Sequence, residues 1–312
     1  DFFVPVSKKT FLEENHPAAI IDLIIERLDL RELYERYSDE GNPAYHPKMM
    51  LKVLFYAYYV GIMSSRTIWD CVINRADFIY LAAGQVPNFR TINTFRLWHI
   101  ERLGGLFAQI VMLCKELGMI GFEHMAIDGQ KIQANANFRK SKNLKGLKKE
   151  YEKVKMGIEK LLSKEVDEYF PEETKEKRVG RLSKKLEELS EFQKELEALG
   201  DEEKRLNMSD AEAPVMSHKD GTSKPSYNHQ SGTDGKYGVV TAVQTTQRSD
   251  RPEDLLEMVD ASIENTGGEH EEVSADCGFC DYDILKKVEE ERNEEFYVPD
   301  RMFENSKKDV SE

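Results

Sequence analysis

Four cysteines in 312 residues are too few and too scattered for a disulfide framework, and two of them, Cys71 and Cys114, lie inside apolar helical patterns. The cytoplasm is therefore the expected compartment. No run of about 18 apolar residues occurs, so a transmembrane span is not expected. The opening Asp1-Phe-Phe-Val-Pro-Val has neither a basic segment nor a long apolar one, which argues against a secretory leader, and its lack of an initiator methionine points to a few trimmed residues. Basic surplus is also lacking: 44 Lys and Arg face 58 Asp and Glu, for a net charge of -14. Chains that displace counterions from phosphate usually carry the opposite sign. The deficit is regional, however. The part up to Phe138 and the Lys/Glu-rich part up to Asn207 are each near neutral, and nearly all the excess acid follows Met208.

What is present is 40% hydrophobic content, enough for a sizeable core and roughly two domains. From Phe11 to about Leu117 the signals are helical. Ile20, Ile21, Leu23, Ile24, Ile25 and Leu28 predict a mostly buried helix behind His16-Pro17, and His46-Pro47 opens a second helix closed by Gly61. Ser64-Ser65 is read as the cap of a third helix and Thr91 as the cap of a fourth. Such a bundle is compatible with a helix-turn-helix in which Arg90, Asn93, Arg96 and His99 touch DNA, although spacing alone favours a plain helical bundle.

At Phe122 the period changes. His124 to Asp128 reads as a strand, Asp128-Gly129 as a tight turn and Lys131 to Ala134 as a return strand. From Arg139 to Leu206 the composition turns to Lys, Glu and Leu, with Leu182, Leu186, Leu189 and Phe192 at heptad-like spacing and a break at Phe170-Pro171, which predicts an inserted helical hairpin with solvated, evenly charged faces. Ser226 to Gly232 and Tyr237 to Thr246 then flank Thr233-Asp-Gly235 as an antiparallel hairpin. A helix from Pro252, a strand from Glu271 to Asp276, a helix from Tyr282 to Glu291 and a strand at Phe296 to Pro299 follow. The expected fold is mixed α/β, or α+β overall. A helical domain (1–120) precedes a sheet domain in two parts (121–138 and 208–312), split by a helical arm (139–207).

Asp128 and Asp276 each end a predicted strand and each precede a glycine within two residues. Carboxylates on neighbouring strand ends suit hard divalent cations such as Mg²⁺ or Mn²⁺, which take oxygen ligands and share phosphate oxygens. Asp-Gly is also the commonest hairpin turn, so the residues alone leave both readings open. Among the other candidates, Lys131 and Arg139 could touch phosphate as point charges. Asp210 and Asp250 suit N-cap or loop roles as well as a site, and His229 suits a strand surface. Cys277-Gly-Phe-Cys280 is half of a zinc pattern with no second pair.

Several stretches carry a resemblance. Asn42-Pro-Ala-Tyr-His-Pro-Lys-Met-Met-Leu-Lys, Gly61-Ile-Met-Ser-Ser-Arg-Thr-Ile and Pro87-Asn-Phe-Arg-Thr-Ile-Asn-Thr-Phe-Arg resemble the helical N-terminal domain of InsH-like insertion-sequence transposases of the DDE type. Ala126-Ile-Asp-Gly-Gln-Lys and Ala275-Asp-Cys-Gly-Phe resemble the first and second catalytic-aspartate motifs of that family. Ser209-Asp-Ala-Glu-Ala-Pro-Val-Met resembles an element that follows its charged insert, with Glu212 and Pro214 where the pattern has aspartate and arginine. The resemblance implies an RNase H-like catalytic domain and two Mg²⁺ or Mn²⁺ ions held in part by Asp128 and Asp276. It also implies cleavage and strand transfer on double-stranded DNA, at transposon ends and target, by a homodimer or larger assembly in a bacterial cytoplasm, associated with the nucleoid and with no membrane partner. A third ligand is implied as well, a glutamate on a helix well beyond Asp276. Glu304 and Glu312 fit it poorly because no helical period follows them, so the chain is read as C-terminally truncated. A metal nuclease without strand transfer, or an inactive remnant that binds DNA or a partner, remains the alternative.

Overall fold

The structure, a computed structural model, describes residues 12–13, 15–35, 37, 44–162, 172–198 and 205–300. Phe170, Pro171, Glu304 and Glu312 lie outside them. The chain forms two compact units divided between Gly121 and Phe122, with residues 263–268 grouped with the first.

The first unit is helical: α1 (Pro17–Arg27), α2 (Arg31–Tyr34), α3 (Pro47–Tyr59), α4 (Ser65–Asn74), α5 (Ala76–Leu81), α6 (Phe89–Trp98) and α7 (Leu103–Glu116). Proline at the first position of α1 and α3 forgoes an N–H that no helix bonds there, and Gly61, at φ +77°, stops the chain just past α3. Ile25, Leu33, Met50, Leu51, Ile68, Phe78 and Ile92 fill the core. The expectation of a mostly buried α1 is corrected. Its apolar residues run round the whole helix, but only the side facing α3 and α5 is covered, which leaves Ile20 and Leu23 exposed at 49% and 58%. The cap of α6 is also corrected. Asn88, not Thr91, accepts the backbone N–H groups of Arg90 and Thr91, both at 2.9 Å.

The second unit is built on one sheet: β1 (His124–Gln133), β4 (Val215–Ser217), β5 (Ser223–Asp234), β6 (Val240–Thr246), β7 (Glu272–Ala275) and β8 (Glu295–Tyr297). β1 lies between β5, antiparallel to it, and β7, parallel to it. β8 continues the parallel side, while β4 and β6 both pair with β5. Helices α10 (Pro252–Thr266) and α11 (Tyr282–Glu291) make the two crossovers of the parallel side. Leu255, Met258 and Val259 of α10 are buried, as are Met125, Val273 and Ala242 of the sheet. A methyl group on Gly232 would meet Met258 Cε at 3.6 Å, which identifies the row Met125, Ile127, Gly129 of β1 as the face under α10.

Asp128-Gly129 is not a turn. β1 is one ten-residue strand, paired with β5 from Met125 to Gln133. The turn signal yields because the twelve-residue β5 offers β1 a continuous ladder on either side of Asp128. β4, absent from the expected elements, adds a short antiparallel partner at the start of β5.

The arm leaves the sheet after β1 and returns before β4. Its base is a two-stranded ribbon of β2 (Ser141–Lys142) and β3 (Leu206–Asn207), and its body is the helix pair α8 (Leu144–Leu162) and α9 (Glu172–Ala198). Leu147, Val154, Leu189, Phe192, Leu196 and Leu206 give it a small core of its own, with Leu182 and Leu186 half-buried against them. Among the described residues no helix is long and apolar enough to cross a membrane.

Candidate functional site

Ile127 of β1 and Ala275 of β7 are the last partners of their parallel ladder. Asp128 and Asp276 are each the next residue. Parallel strands run about 4.8 Å apart; Asp128 alternates to the face away from α10, while Asp276 opens the turn that follows β7. Both are exposed. β7 stops at this point while β1 runs on to Gln133, so a notch opens beside the second half of β1 at the carboxyl end of a parallel strand, where open α/β sheets gather ligands.

The loops round this notch are fixed by hydrogen bonds. Asp276 caps the short turn Cys277–Phe279, its Oδ1 accepting the Gly278 N–H at 2.8 Å. Asp128 Oδ1 accepts the Gly129 N–H at 2.8 Å. Phe279 is fully buried and anchors the turn. Glycine at 129 and 278 makes room for a third acid. A methyl group on Gly129 would lie 2.8 Å from Asp250 Cγ, and one on Gly278 would lie 2.8 Å from Asp276 Oδ1 and 3.3 Å from Asp250 Cβ. Asp250, in the loop from β6 to α10, thus sits against both glycines, on the α10 side of the notch.

Beneath Asp250 lies a buried polar row. Ser226, Asn228, Gln230 and Asp234 alternate along the covered face of β5, all fully buried. The side-chain amides of Asn228 and Gln230 donate to Asp250 Oδ1 at 2.8 and 2.9 Å, and Gln230 also donates to Asp254 at 3.0 Å. Asp254, in the first turn of α10 and fully buried, is held further by Arg248 and by the Arg251 N–H. An acid there also complements the helix dipole. Asn228 Oδ1, Gln230 Oε1 and Arg248 Nε are buried without a hydrogen-bond partner among the described residues. Sequence reasoning named Asp250 but missed this row. Its signal is a polar residue at every second position of a central strand, where an apolar one is the norm.

The remaining candidates scatter. Lys131 alternates to the face opposite Asp128 and donates to the Ser217 carbonyl at 2.9 Å. His229 lies on the open face, opposite Gln130, with Nδ1 3.1 Å from Thr245 Oγ1. Asp210 accepts the Tyr227 hydroxyl at 2.8 Å. Arg139 is on the turn at the base of the arm. Cys277 and Cys280 are half-buried and form no disulfide. In the helical unit Arg90 is exposed, while Arg96 donates to the Asn93 side chain at 2.7 Å, so these two form a fixed polar pair on α6. His99 is corrected as a surface contact. It is 1% exposed, between Phe95 and a stacked Tyr37.

Asp128 and Asp276 offer hard oxygen donors and no nitrogen or sulfur, which fits Mg²⁺ or Mn²⁺, ions that keep several waters and need few protein ligands. Among the described residues no three His, Cys, Asp or Glu side chains gather as a ready metal cage. No curated protein and no solved structure matches the chain. The helical unit that carries Arg90, Asn93 and Arg96 is similar to a transposase domain, residues 6–97 matching the family model described as Transposase domain (DUF772).

Proposed function

We propose that this chain is a transposase of the DDE type, acting on duplex DNA through a divalent-metal site on an RNase H-like sheet, with Asp128 and Asp276 as two of the metal-binding carboxylates. The observation that carries this reading is the register of β1 and β7, in which two exposed aspartates each directly follow a residue of the last ladder pair, Ile127 and Ala275. The strand and helix order of the second unit agrees with the fold the resemblance implies, and the match at residues 6–97 agrees with its family.

A divalent cation bound there would neutralise and polarise a phosphodiester. The chain's own contribution is positional. The parallel ladder ends just before both aspartates, and the Gly129 and Gly278 N–H groups each hold one carboxylate oxygen. Asp250 and its amide partners stiffen the floor of the notch. Supporting groups of this kind keep a ligand set within a fraction of an ångström of its working geometry.

The test is a gel assay of the protein expressed from its whole gene, with labelled duplex carrying the ends of its own element, in Mg²⁺ or Mn²⁺. Nicked and joined products, both absent in D128N and in D276N, are expected. Nicking without joining would favour the metal-nuclease alternative. Metal-dependent cleavage that survives in D128N/D276N would remove these residues from the chemistry.

A further inference from the structure

We propose that the cleft of the helical arm binds the phosphate backbone of duplex DNA. This rests on the reading of DNA as the substrate, but it concerns a surface that the carboxylate site does not use. A cavity of about 770 Å³ opens on one side of the helix pair, lined by Arg139, Lys140, Lys142, Arg181, Lys184 and Lys185 among others. A neighbouring hollow of about 580 Å³ shares Lys142 and Lys185 and adds Lys149 and Lys153. Together their linings hold nine cationic side chains and two carboxylates, Glu150 and Glu188.

Glu150 is already engaged, by Lys185 at 2.7 Å and Lys142 at 3.3 Å, and Lys185 above all holds its carboxyl below the usual range. Arg139, Lys140, Arg181 and Lys184 are exposed and have no carboxylate partner among the described residues. The arm as a whole is near neutral in sequence, while these two linings carry a clear surplus of cations. The opposite hollow is lined by Glu152 and Glu197 beside Lys148 and Lys194. Gathering like charges costs repulsion, and a bound polyanion offsets it. The nineteen residues of α8 span roughly 28 Å, close to one turn of B-DNA at about 34 Å, so a row of phosphates rather than one fits the cleft.

The test uses the full chain, a fluorescein-labelled duplex of arbitrary sequence and a chelator, so that binding is read without cleavage. Fluorescence anisotropy is followed from about 50 to about 200 mM salt. The expected result for R181A/K184A is about tenfold weaker binding at low salt, with a log-log salt slope shallower by about two, one for each lost phosphate contact. R139A/K140A, on the turn before β2, is expected to lose a similar amount, and R181K/K184R to keep the wild-type slope. The loss from R181A/K184A is expected to be the same in a D128N/D276N background, which separates this surface from the proposed metal site. An unchanged slope in both alanine variants would overturn the proposal. So would no duplex binding by the wild type, displacement by millimolar inorganic phosphate as strong as by unlabelled duplex, or tighter binding to anionic phosphatidylserine vesicles than to DNA.

Discussion

At Gly129 the chain has no room for a methyl group, because the Asp250 carboxylate fills that space. G129A is therefore expected to push Asp250 off the Asn228 and Gln230 amides. Both are fully buried and would lose an acceptor, at a cost of about 1–3 kcal/mol each where no water replaces it. Urea denaturation of G129A, D250A and the double variant checks this. The double should be much less destabilised than the sum of the singles, because both changes break one contact. Additive losses would mean that the two residues act separately. A second residue-scale prediction concerns His270, fully buried beside Asp234 with Nε2 3.3 Å from its Oδ2, outside hydrogen-bonding direction. Burial outweighs the pull of Asp234 and sets the imidazole below its ordinary 6.5. The unfolded state then takes up the proton first, so this group removes stability as pH falls below about 6.5 and has no such effect above it. The melting temperature measured between pH 7.5 and 5.5 should fall on the acid side, and H270Q should flatten the fall.

Among elements, the arm and β1 show what local pattern can and cannot decide. In the arm, the heptad-like row Leu182, Leu186, Leu189 and Phe192 was legible because a helix packing on one neighbour needs one apolar stripe, and these residues do face α8. Its charges were not. Counting Lys against Glu along the chain gives near neutrality, while the surplus of cations in the cleft linings depends on how the pair is rotated about that stripe. Gly180 sits within α9, where an added methyl group meets nothing within 4 Å, so G180A is expected to stabilise the arm by about 0.5–1 kcal/mol. Hydrogen exchange of the arm amides would show it, and slower exchange confined to α8 and α9 is the expected pattern. In β1 the local signal misled. Asp-Gly is a strong turn pair, yet the strand runs straight through it, since a continuous ladder with β5 outweighs one dipeptide's preference. The glycine is there for Asp250, a residue 121 positions further on, which no local window contains.

For the molecule as a whole, the division into a helical unit and a sheet unit followed from the change of period at Phe122. The order of strands did not, because β1 pairs with partners that follow it by about a hundred residues and more, and loop closure over such spans leaves no local trace. The two aspartates were legible as strand-associated acids with nearby glycines; what the fold adds is the shared register that puts each directly after a residue of the last ladder pair. The net charge of -14 is consistent with DNA binding only if base is concentrated somewhere, and the arm cleft is such a concentration. Everything then turns on whether Asp128 and Asp276 hold one ion between them. Mn²⁺ titration of the full chain, with free ion followed by electron paramagnetic resonance, measures that directly. Saturable binding is expected in the wild type. D128N and D276N should each weaken it by more than the roughly 10- to 100-fold that loss of a supporting group costs, with little further loss in the double variant. Equal Mn²⁺ affinity in the wild type and D128N/D276N, or no saturable binding by the wild type, would contradict a shared site.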